Sequence, residues 1–315
     1  ARTPADAPAD KRRLDLGGAA IATAAFGALA YGLTAMNAEG GGRMAGPSIV
    51  AGALLLIVFI VFERRQPQPM IDLGLFRIRA FAGANLATFF LYFALSANLF
   101  YLPMLLIAGW GLSTAEVGFI FLPLSASIAL LSGPVGKWSD RIGSRFPIAG
   151  GSMIVAVAFA GLAALSHAGV HRFWSGTFPL MAVMGLGMAL VVSPLSTAVM
   201  TAVDDKDTGA ASGINNAVSR IGGLIAVAAM GSLAAWIYAT SLRASGVSGV
   251  PGFGEPAPAG LAAGLDAARV AAGDTAFSGV AIVTALLCVL SSLTAWATVP
   301  GQSLPWGRGR ESRES

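Results

Sequence analysis

The sequence predicts an all-α fold, a polytopic membrane helix bundle with about eight transmembrane helices. Hydrophobic residues make up 55% of the 315 positions and charged residues only 11%, with a mean hydropathy of +0.72. A soluble domain of average composition carries about 25% charged residues. The few charges here lie in short clusters between apolar runs about as long as a bilayer-crossing helix, roughly 20 residues. Soluble domains, a disordered chain and a nucleic-acid-binding protein are therefore excluded.

Eight runs qualify as spans in chain order. Two lie within 16–62, a predicted cytoplasmic loop at 63–82 follows, and six more lie within 83–299. The predicted spans are 16–36, 45–62, 83–107, 115–135, 147–166, 177–202, 209–238 and 277–299. The second is short but unbroken from Ile49 to Phe62, and Ser113 with Glu116 forms a capping-box pattern at the start of the fourth. The stretch 239–276 is rich in Ala, Gly, Pro and Ser, which predicts a long extracytoplasmic loop.

The distribution of Lys and Arg predicts the orientation, because cytoplasmic loops carry the excess of positive charge. With eight spans and a cytoplasmic amino terminus, fifteen of the twenty basic residues fall on the cytoplasmic face and four on the other. The remaining one, Arg220, lies within a span. We therefore expect both ends of the chain, 1–15 and 300–315, to be cytoplasmic tails at the plasma (inner) membrane.

The acidic residues are informative by position, because carboxylates inside a bilayer are the usual proton carriers. The span boundaries put each of the sixteen acids in a tail, in a loop or at a span end, and Asp266 and Asp274 are among those in loops. From the sequence we therefore expect a titrating carboxylate to come from elsewhere if the protein uses protons.

Arg220 is the one charge predicted near the middle of a span. An arginine there costs at least about 2.5–3.5 kcal/mol on insertion scales, so it is expected to face a partner or a water-filled cavity. At 100° per residue, Asn216 lies on the same helix face and Asn215 lies close by. A cavity or gate role for Arg220 competes with a purely structural polar contact.

The third span carries a polar stripe on one side, whereas Asn98 points elsewhere. Its members recur at offsets of 3, 7 and 11 residues and are Asn85, Thr88, Tyr92 and Ser96. Such a stripe fits the lining of a substrate cavity, with Asn85, Tyr92 and Ser96 joining Asn215, Asn216 and Arg220. Inter-helix hydrogen bonding is an equally good interpretation, because Ser, Thr and Asn commonly join membrane helices.

Between the fourth and fifth spans, the segment from Gly133 to Arg145 has the chemistry of a basic turn. It contains the pattern Gly136-x-x-x-Asp140-Arg141-x-Gly143-x-Arg145. This pattern resembles the signature loop of the major facilitator superfamily, in the copy between the second and third helices of a six-helix half. The run from Gly209 through Asn215, Asn216 and Arg220 to Gly223 is similar to the fourteen-helix drug:proton antiporter branch of that family.

The resemblance implies active efflux of drugs or other amphipathic small molecules by alternating access, with a proton gradient as the energy source and no cofactor. In that branch two linker helices join two six-helix halves. The eight predicted spans would then be two linker helices plus the carboxy-terminal half, within the lipid bilayer. Asp140 would contact a neighbouring helix end, and Arg141 and Arg145 would hold a cytoplasmic gate.

The resemblance also predicts a partner, the missing amino-terminal six-helix half. Because the chain begins at Ala1 within a linker-like stretch, we expect it to be a carboxy-terminal fragment, with six more spans encoded upstream. The alternative is a truncated half-transporter that acts as a non-transporting membrane assembly partner or regulator.

An enzyme is not predicted, because no arrangement of Ser, Cys, His or paired acids suits an intramembrane active site. His167 and His171 have i, i+4 spacing, but the sequence places no carboxylate or cysteine near them, so no metal site is predicted. Cys288 lies in an apolar span and is expected to be a small core residue.

Overall fold

The computed structural model describes residues 16–35, 42–65 and 73–301, and all regular secondary structure within these ranges is helical. The predicted all-α bundle is therefore confirmed. The chain divides into two compact units, residues 1–74 and 75–315. The predicted tail 1–15, residues 66–72 of the predicted loop 63–82, and residues 302–315 lie outside the described residues.

The first unit contains two helices that pack against each other, α1 (Leu16–Ala35) and α2 (Gly42–Arg65). Glycines allow their backbones to approach closely. A Cβ atom at Gly32 would lie 2.9 Å from the carbonyl oxygen of Ala45, and one at Gly52 would lie 2.9 Å from that of Ala25. Small residues at such crossings are typical of membrane helix pairs.

The second unit contains a short helix and six long ones. They are α3 (Arg79–Met104), α4 (Thr114–Gly118), α5 (Phe121–Ile142), α6 (Arg145–His167), α7 (Phe178–Thr201), α8 (Thr208–Ala244) and α9 (Ala263–Thr298). A single π-helical turn, Leu105–Gly109, extends α3, and another, Phe173–Thr177, precedes α7. The predicted capping box is present at α4, where the Ser113 hydroxyl accepts from the Glu116 amide and Glu116 accepts from the Ser113 amide.

By length and composition, seven helical segments of the described chain can cross a membrane, with α4 and α5 forming one segment. The apolar part of α1, Gly17–Gly32, is shorter. The chain is a multi-pass membrane protein.

The prediction of a long loop at 239–276 is wrong in extent. Helix α8 continues to Ala244 and α9 begins at Ala263, so the connection covers only 245–262. The error arose because Asp266, Arg269 and Asp274 interrupt the apolar pattern that marked the eighth span. In the structure Arg269 and Asp274 are buried against other parts of the bundle.

Helix α9 packs along both α6 and α3. Its serine hydroxyls donate to backbone carbonyls of these neighbours. Ser278 donates to Ala163 at 3.0 Å and Ser292 to Ala149 at 2.8 Å, both in α6, and Ser291 donates to Ala87 of α3 at 2.9 Å. Helix α5 packs mainly on α7, and α8 mainly on α3, and these two helices bury the smallest share of their residues within this unit.

Helices α6 and α7 cross at a point where only glycine fits on either side. A Cβ atom at Gly151 would lie 2.6 Å from the carbonyl oxygen of Gly187, and one at Gly187 would lie 2.8 Å from that of Gly151. Backbone atoms cannot rotate away as a flexible side chain can, so the two helices must separate to admit a methyl group.

We therefore expect Gly151→Ala to lower the thermal stability of the purified protein by about 1–3 kcal/mol, the usual cost of overpacking. The matched control is Gly150→Ala in the same helix, because a Cβ atom there meets nothing within 4 Å. Equal melting temperatures for the two variants in detergent would contradict the close crossing.

Candidate functional site

Helices α3 and α8 join through polar groups at two levels. The Thr88 hydroxyl donates to Oδ1 of Asn215 at 2.7 Å, and deeper along the pair the Tyr101 hydroxyl donates to the carbonyl oxygen of Val227. Between these bonds, a Cβ atom at Gly222 would lie 3.2 Å from the carbonyl oxygen of Phe89. The polar stripe of α3 therefore faces the amide-bearing part of α8.

The three other stripe residues of α3 differ in their surroundings. Asn85 is buried, its Nδ2 donates to the carbonyl oxygen of Phe81 at 2.9 Å, and its Oδ1 has no hydrogen-bond partner among the described residues. Tyr92 and Ser96 are half-buried, and Ser96 faces Gly223 of α8, where a Cβ atom would lie 2.7 Å from its hydroxyl oxygen. Asn98 donates instead to Thr284 of α9 at 2.6 Å, in the direction the sequence predicts.

Asn216 and Arg220 lie on the exposed side of α8, one helical turn apart. Within the described chain the guanidinium of Arg220 makes no hydrogen bond or ion pair. The structure thus divides the candidate cavity residues into two groups. Asn85 and Asn215 lie at or near the packed α3–α8 contact, whereas Asn216 and Arg220 are presented outward from the second unit.

The predicted gating loop is mostly helical. Because α5 continues to Ile142, Gly136, Asp140 and Arg141 belong to its last two turns, and only Gly143 and Ser144 connect it to α6. Gly143 has a φ of +88°, a conformation that side chains with a Cβ disfavour, so glycine is required at this sharp connection. The sequence-based interpretation of 133–145 as a turn is wrong in extent, because residues 133–142 continue α5 and Arg145 begins α6.

Arg145, the first residue of α6, contacts the end of α9. Its Nε donates to the carbonyl oxygen of Val299 at 2.7 Å, and its guanidinium lies 5.9 Å from the centre of the Trp296 ring. Arg79, the first residue of α3, donates to the carbonyl oxygen of Ala297 at 3.1 Å. The carboxyl end of a helix carries unpaired carbonyls and partial negative charge, so both arginines stabilise this end of α9. Asp140 and Arg141 are exposed and have no polar partner in the described ranges.

The family model of the Major Facilitator Superfamily matches residues 7–227 of the sequence. The chain belongs to the major facilitator superfamily. This confirms the resemblance carried by the pattern from Gly136 to Arg145, within the matched range.

Several curated proteins are similar to this superfamily member. It is 35% identical over 233 residues to the multidrug resistance protein Stp of Mycobacterium tuberculosis, which covers 73% of this chain and 42% of the relative. It is 33% identical over 220 residues to a lincomycin resistance protein of Streptomyces lincolnensis, covering 68% and 44%. It is 30% identical over 251 residues to the cephamycin export protein CmcT of Amycolatopsis lactamdurans, covering 79% and 49%. The chain spans less than half the length of these relatives.

A cluster of charged and aromatic residues at the other end of α9 was missed by the sequence analysis of this superfamily member. Asp274 is buried, its Oδ1 accepts from Nε1 of Trp110 at 2.9 Å, and its Oδ2 lies 2.6 Å from Nε2 of His171. The predictions that Asp274 lies in a loop and that His171 has no carboxylate nearby are both wrong. The i, i+3 spacing of Asp266 and Arg269, with Asp274 one further turn along, was the available sign that α9 begins early.

Arg269 bonds the start of α9 to the end of α3 and to the 245–262 connection. Its guanidinium pairs with Asp266 at 2.8 Å and donates to the carbonyl oxygens of Ala108 at 2.8 Å and Glu255 at 3.3 Å. The connection 245–262 is anchored as well, because the Phe253 ring lies about 6 Å from the rings of both Tyr101 and Tyr238. This connection is therefore packed against α3 and α8.

The Thr88–Asn215 bond gives a direct test of the α3–α8 contact. Thr88→Val keeps the side-chain shape but leaves the Asn215 oxygen without its donor. We expect a loss of about 0.6–1.7 kcal/mol, between the average and the maximum measured for such bonds in membrane bundles. Thr201→Val is the matched control, because the Thr201 hydroxyl is exposed and donates only within its own helix. Equal thermal stability of the two variants would show that the bond does not hold α8 against α3.

Proposed function

We propose that this chain is the carboxy-terminal part of an efflux transporter that exports drugs or other amphipathic small molecules by alternating access, driven by a proton gradient. Its partner is an amino-terminal six-helix half, and together the two halves enclose the substrate. The protein lies in the plasma membrane with both ends of this chain in the cytoplasm. No bound cofactor takes part.

Two findings support this proposal. The relatives named for multidrug resistance, lincomycin resistance and cephamycin export share 30–35% of residues with this chain over 220 to 251 positions. Each of them is more than twice as long as the part that matches, in keeping with a second half. Efflux is proposed, and not uptake, because these relatives are resistance and export proteins.

The exposed Arg220 is the structural observation that carries the cavity assignment. It is the thirteenth residue of α8, which at 1.5 Å per residue puts it about 18 Å from the start of the helix, well within the hydrocarbon thickness. A charge at that depth needs water or a polar partner, and the six long helices of the second unit leave it exposed. Arg220 and Asn216 therefore line a polar cavity, next to Asn215, Asn85, Tyr92 and Ser96.

Arg220→Ala should lower efflux of a fluorescent cationic drug by about tenfold or more, equal to about 1.4 kcal/mol in rate, while the amount of protein in the membrane is unchanged. Arg243→Ala is the matched control, because Arg243 is equally exposed but lies in the last turn of α8. Efflux in cells, normalised to membrane protein by immunoblot, measures both. Full activity of Arg220→Ala would remove Arg220 from the transport mechanism.

The segment around Asp140 has a separate role, in gating. Arg145 is already bound to the end of α9, whereas Asp140 is exposed and free to pair with a second half in another conformation. An interaction made in only one conformation shifts the conformational equilibrium and changes the rate of the conformational step, without a direct contact to the substrate.

We expect Asp140→Asn to lower the maximal transport rate several-fold and to change the apparent affinity for substrate less than about twofold. Asp205→Asn removes one exposed carboxylate from the connection between α7 and α8, on the same predicted face, and serves as the charge control. Transport into inverted vesicles over a range of substrate concentrations separates the two quantities. A parallel loss of rate and affinity would contradict the gating role.

A further inference from the structure

The buried carboxylate of Asp274 joins three separate parts of the second unit. It belongs to α9, its indole partner Trp110 follows the π-helical turn at the end of α3, and its imidazole partner His171 lies in the connection between α6 and α7. The backbone of Asp274 takes part too, because its carbonyl oxygen accepts from the Ser166 hydroxyl of α6 at 2.9 Å. One residue thus holds α3, α6 and the α6–α7 connection at one end of α9.

The two members of the ion pair differ in their access to solvent. The Asp274 side chain is 5% exposed, whereas the His171 side chain is 40% exposed. Histidine is the side chain whose charge ordinarily changes between about pH 5 and 8, and solvent reaches this one. Nε2 of His171 lies 2.6 Å from an oxygen of Asp274. A neutral ring that donates from Nε2 to this carboxylate can take a proton from solution at its other nitrogen, which gives an imidazolium beside a carboxylate.

Trp110 contacts both members of the pair. Its indole lies 4.7 Å from the imidazole between ring centres, at an interplanar angle of 36°. A cation is attracted to the face of an aromatic ring, while the same indole donates its N–H to the carboxylate. The imidazole of His171 therefore lies against both the buried carboxylate and the indole ring.

Other charged groups near this end of the unit are engaged elsewhere or are exposed. Arg269, five residues before Asp274 on α9, is bound to Asp266 and to two backbone carbonyls. The exposed charged or titratable groups on the adjoining elements are His167 at the end of α6, Arg172 in the same connection as His171, Glu116 in α4 and Glu255 in the 245–262 connection. In the described part of the chain none of them hydrogen-bonds to His171 or to the Asp274 side chain.

We propose that His171 and Asp274 form a proton-binding site whose protonated state clamps the end of α3 to α9. When the proton leaves, the buried carboxylate faces a neutral ring and loses the ion-pair attraction, so the clamp weakens and the end of α3 is freer to move. The distribution of Lys and Arg along the sequence predicts that this end of the unit is extracytoplasmic. The inference rests on the proposed function in one respect: in a proton-driven exporter, this site is loaded from the side where protons enter.

This site changes the role of the carboxy-terminal half. From the sequence, no acid of this half lies in the interior of a predicted span. The structure contains a buried carboxylate, Asp274, paired with a solvent-accessible imidazole, His171. Because α3 also carries Thr88 and the stripe that faces α8, proton occupancy at its end biases a helix that borders the candidate cavity. A proton bound here favours the clamped conformation seen in the structure.

The stability of the complete protein that carries this chain tests the site directly. The attraction between two opposite charges exists only while His171 carries a proton, so the proposed clamp is stronger at acidic than at alkaline pH. We expect the melting temperature of the wild type to fall by about 3 °C or more between about pH 5.5 and pH 8.5 in detergent. His171→Gln retains a donor to Asp274 but cannot titrate, so this variant should lose most of that pH dependence.

His167→Gln is the matched control, because the chain has two histidines and this one is exposed with no polar partner in the described ranges. It should keep the wild-type pH profile. Asp274→Asn, which removes the carboxylate, should lower the melting temperature at the acidic pH more than at the alkaline pH. A His171→Gln protein with the unchanged wild-type pH profile would overturn the proposal.

Tryptophan fluorescence supplies a second readout, in which Trp110→Phe identifies the part of the emission that comes from Trp110. A protonated imidazole against an indole quenches its emission, so wild-type emission should rise as the pH increases. We expect that change to be reduced in Trp110→Phe and in His171→Gln, and retained in His167→Gln. A pH response that is equally large in Trp110→Phe would show that the protonation occurs at another place and would overturn the proposal.

Transport separates this inference from the proposed function. If the complete protein exports a drug, His171→Gln should flatten the dependence of efflux on external pH, whereas His167→Gln should not, and an unchanged profile in His171→Gln would contradict coupling of the site to transport. Absence of any drug export would refute the proposed function alone, since the melting profiles and Trp110 emission report proton binding in either case.

Discussion

A single constraint governs the second unit: polar groups that leave water must find their partners inside the helix bundle. In a hydrocarbon surrounding, an unsatisfied backbone or side-chain group costs several kcal/mol. The serines of α9 meet this constraint by donating to carbonyls of α6 and α3. The accepting carbonyls belong to Ala163, Ala149 and Ala87, whose small side chains let the helices approach closely. Close packing and polar satisfaction are thus the same requirement here.

The two ends of α9 satisfy this constraint with charge. At its carboxyl end, Arg79 and Arg145 bind the last carbonyls from the first residues of α3 and α6. At its amino end, Arg269 binds the Ala108 carbonyl and Asp274 binds Trp110 and His171. At its carboxyl end, α9 is therefore bonded to α3 and α6. At its amino end, it is bonded to the end of α3 and to the connection that follows α6. Helices α5 and α8 retain exposed faces, and α8 presents Asn216 and Arg220 there.

Local patterns were sufficient for much of the fold and for part of the site. The apolar runs predicted the all-α class, and the spacing of Ser113 and Glu116 predicted the capping box. Helical periodicity predicted that Asn98 points away from the polar stripe. The family followed from the spacing of Gly136, Asp140, Arg141, Gly143 and Arg145, which the family match includes. The roles of those residues in gating, and of Arg220 in a cavity, stay predictions.

The sequence by itself determined that the chain crosses a membrane many times and which superfamily it belongs to, because both depend on composition and on residues close together along the chain. Only the tertiary structure decided which polar residues are buried and with whom. Asp274, His171 and Trp110 are separated by up to 164 positions along the chain, and a charged residue near a helix end has the same pattern whether it faces solvent or a buried partner. Their proximity depends on how α3, α6 and α9 pack, and packing is set by the whole bundle.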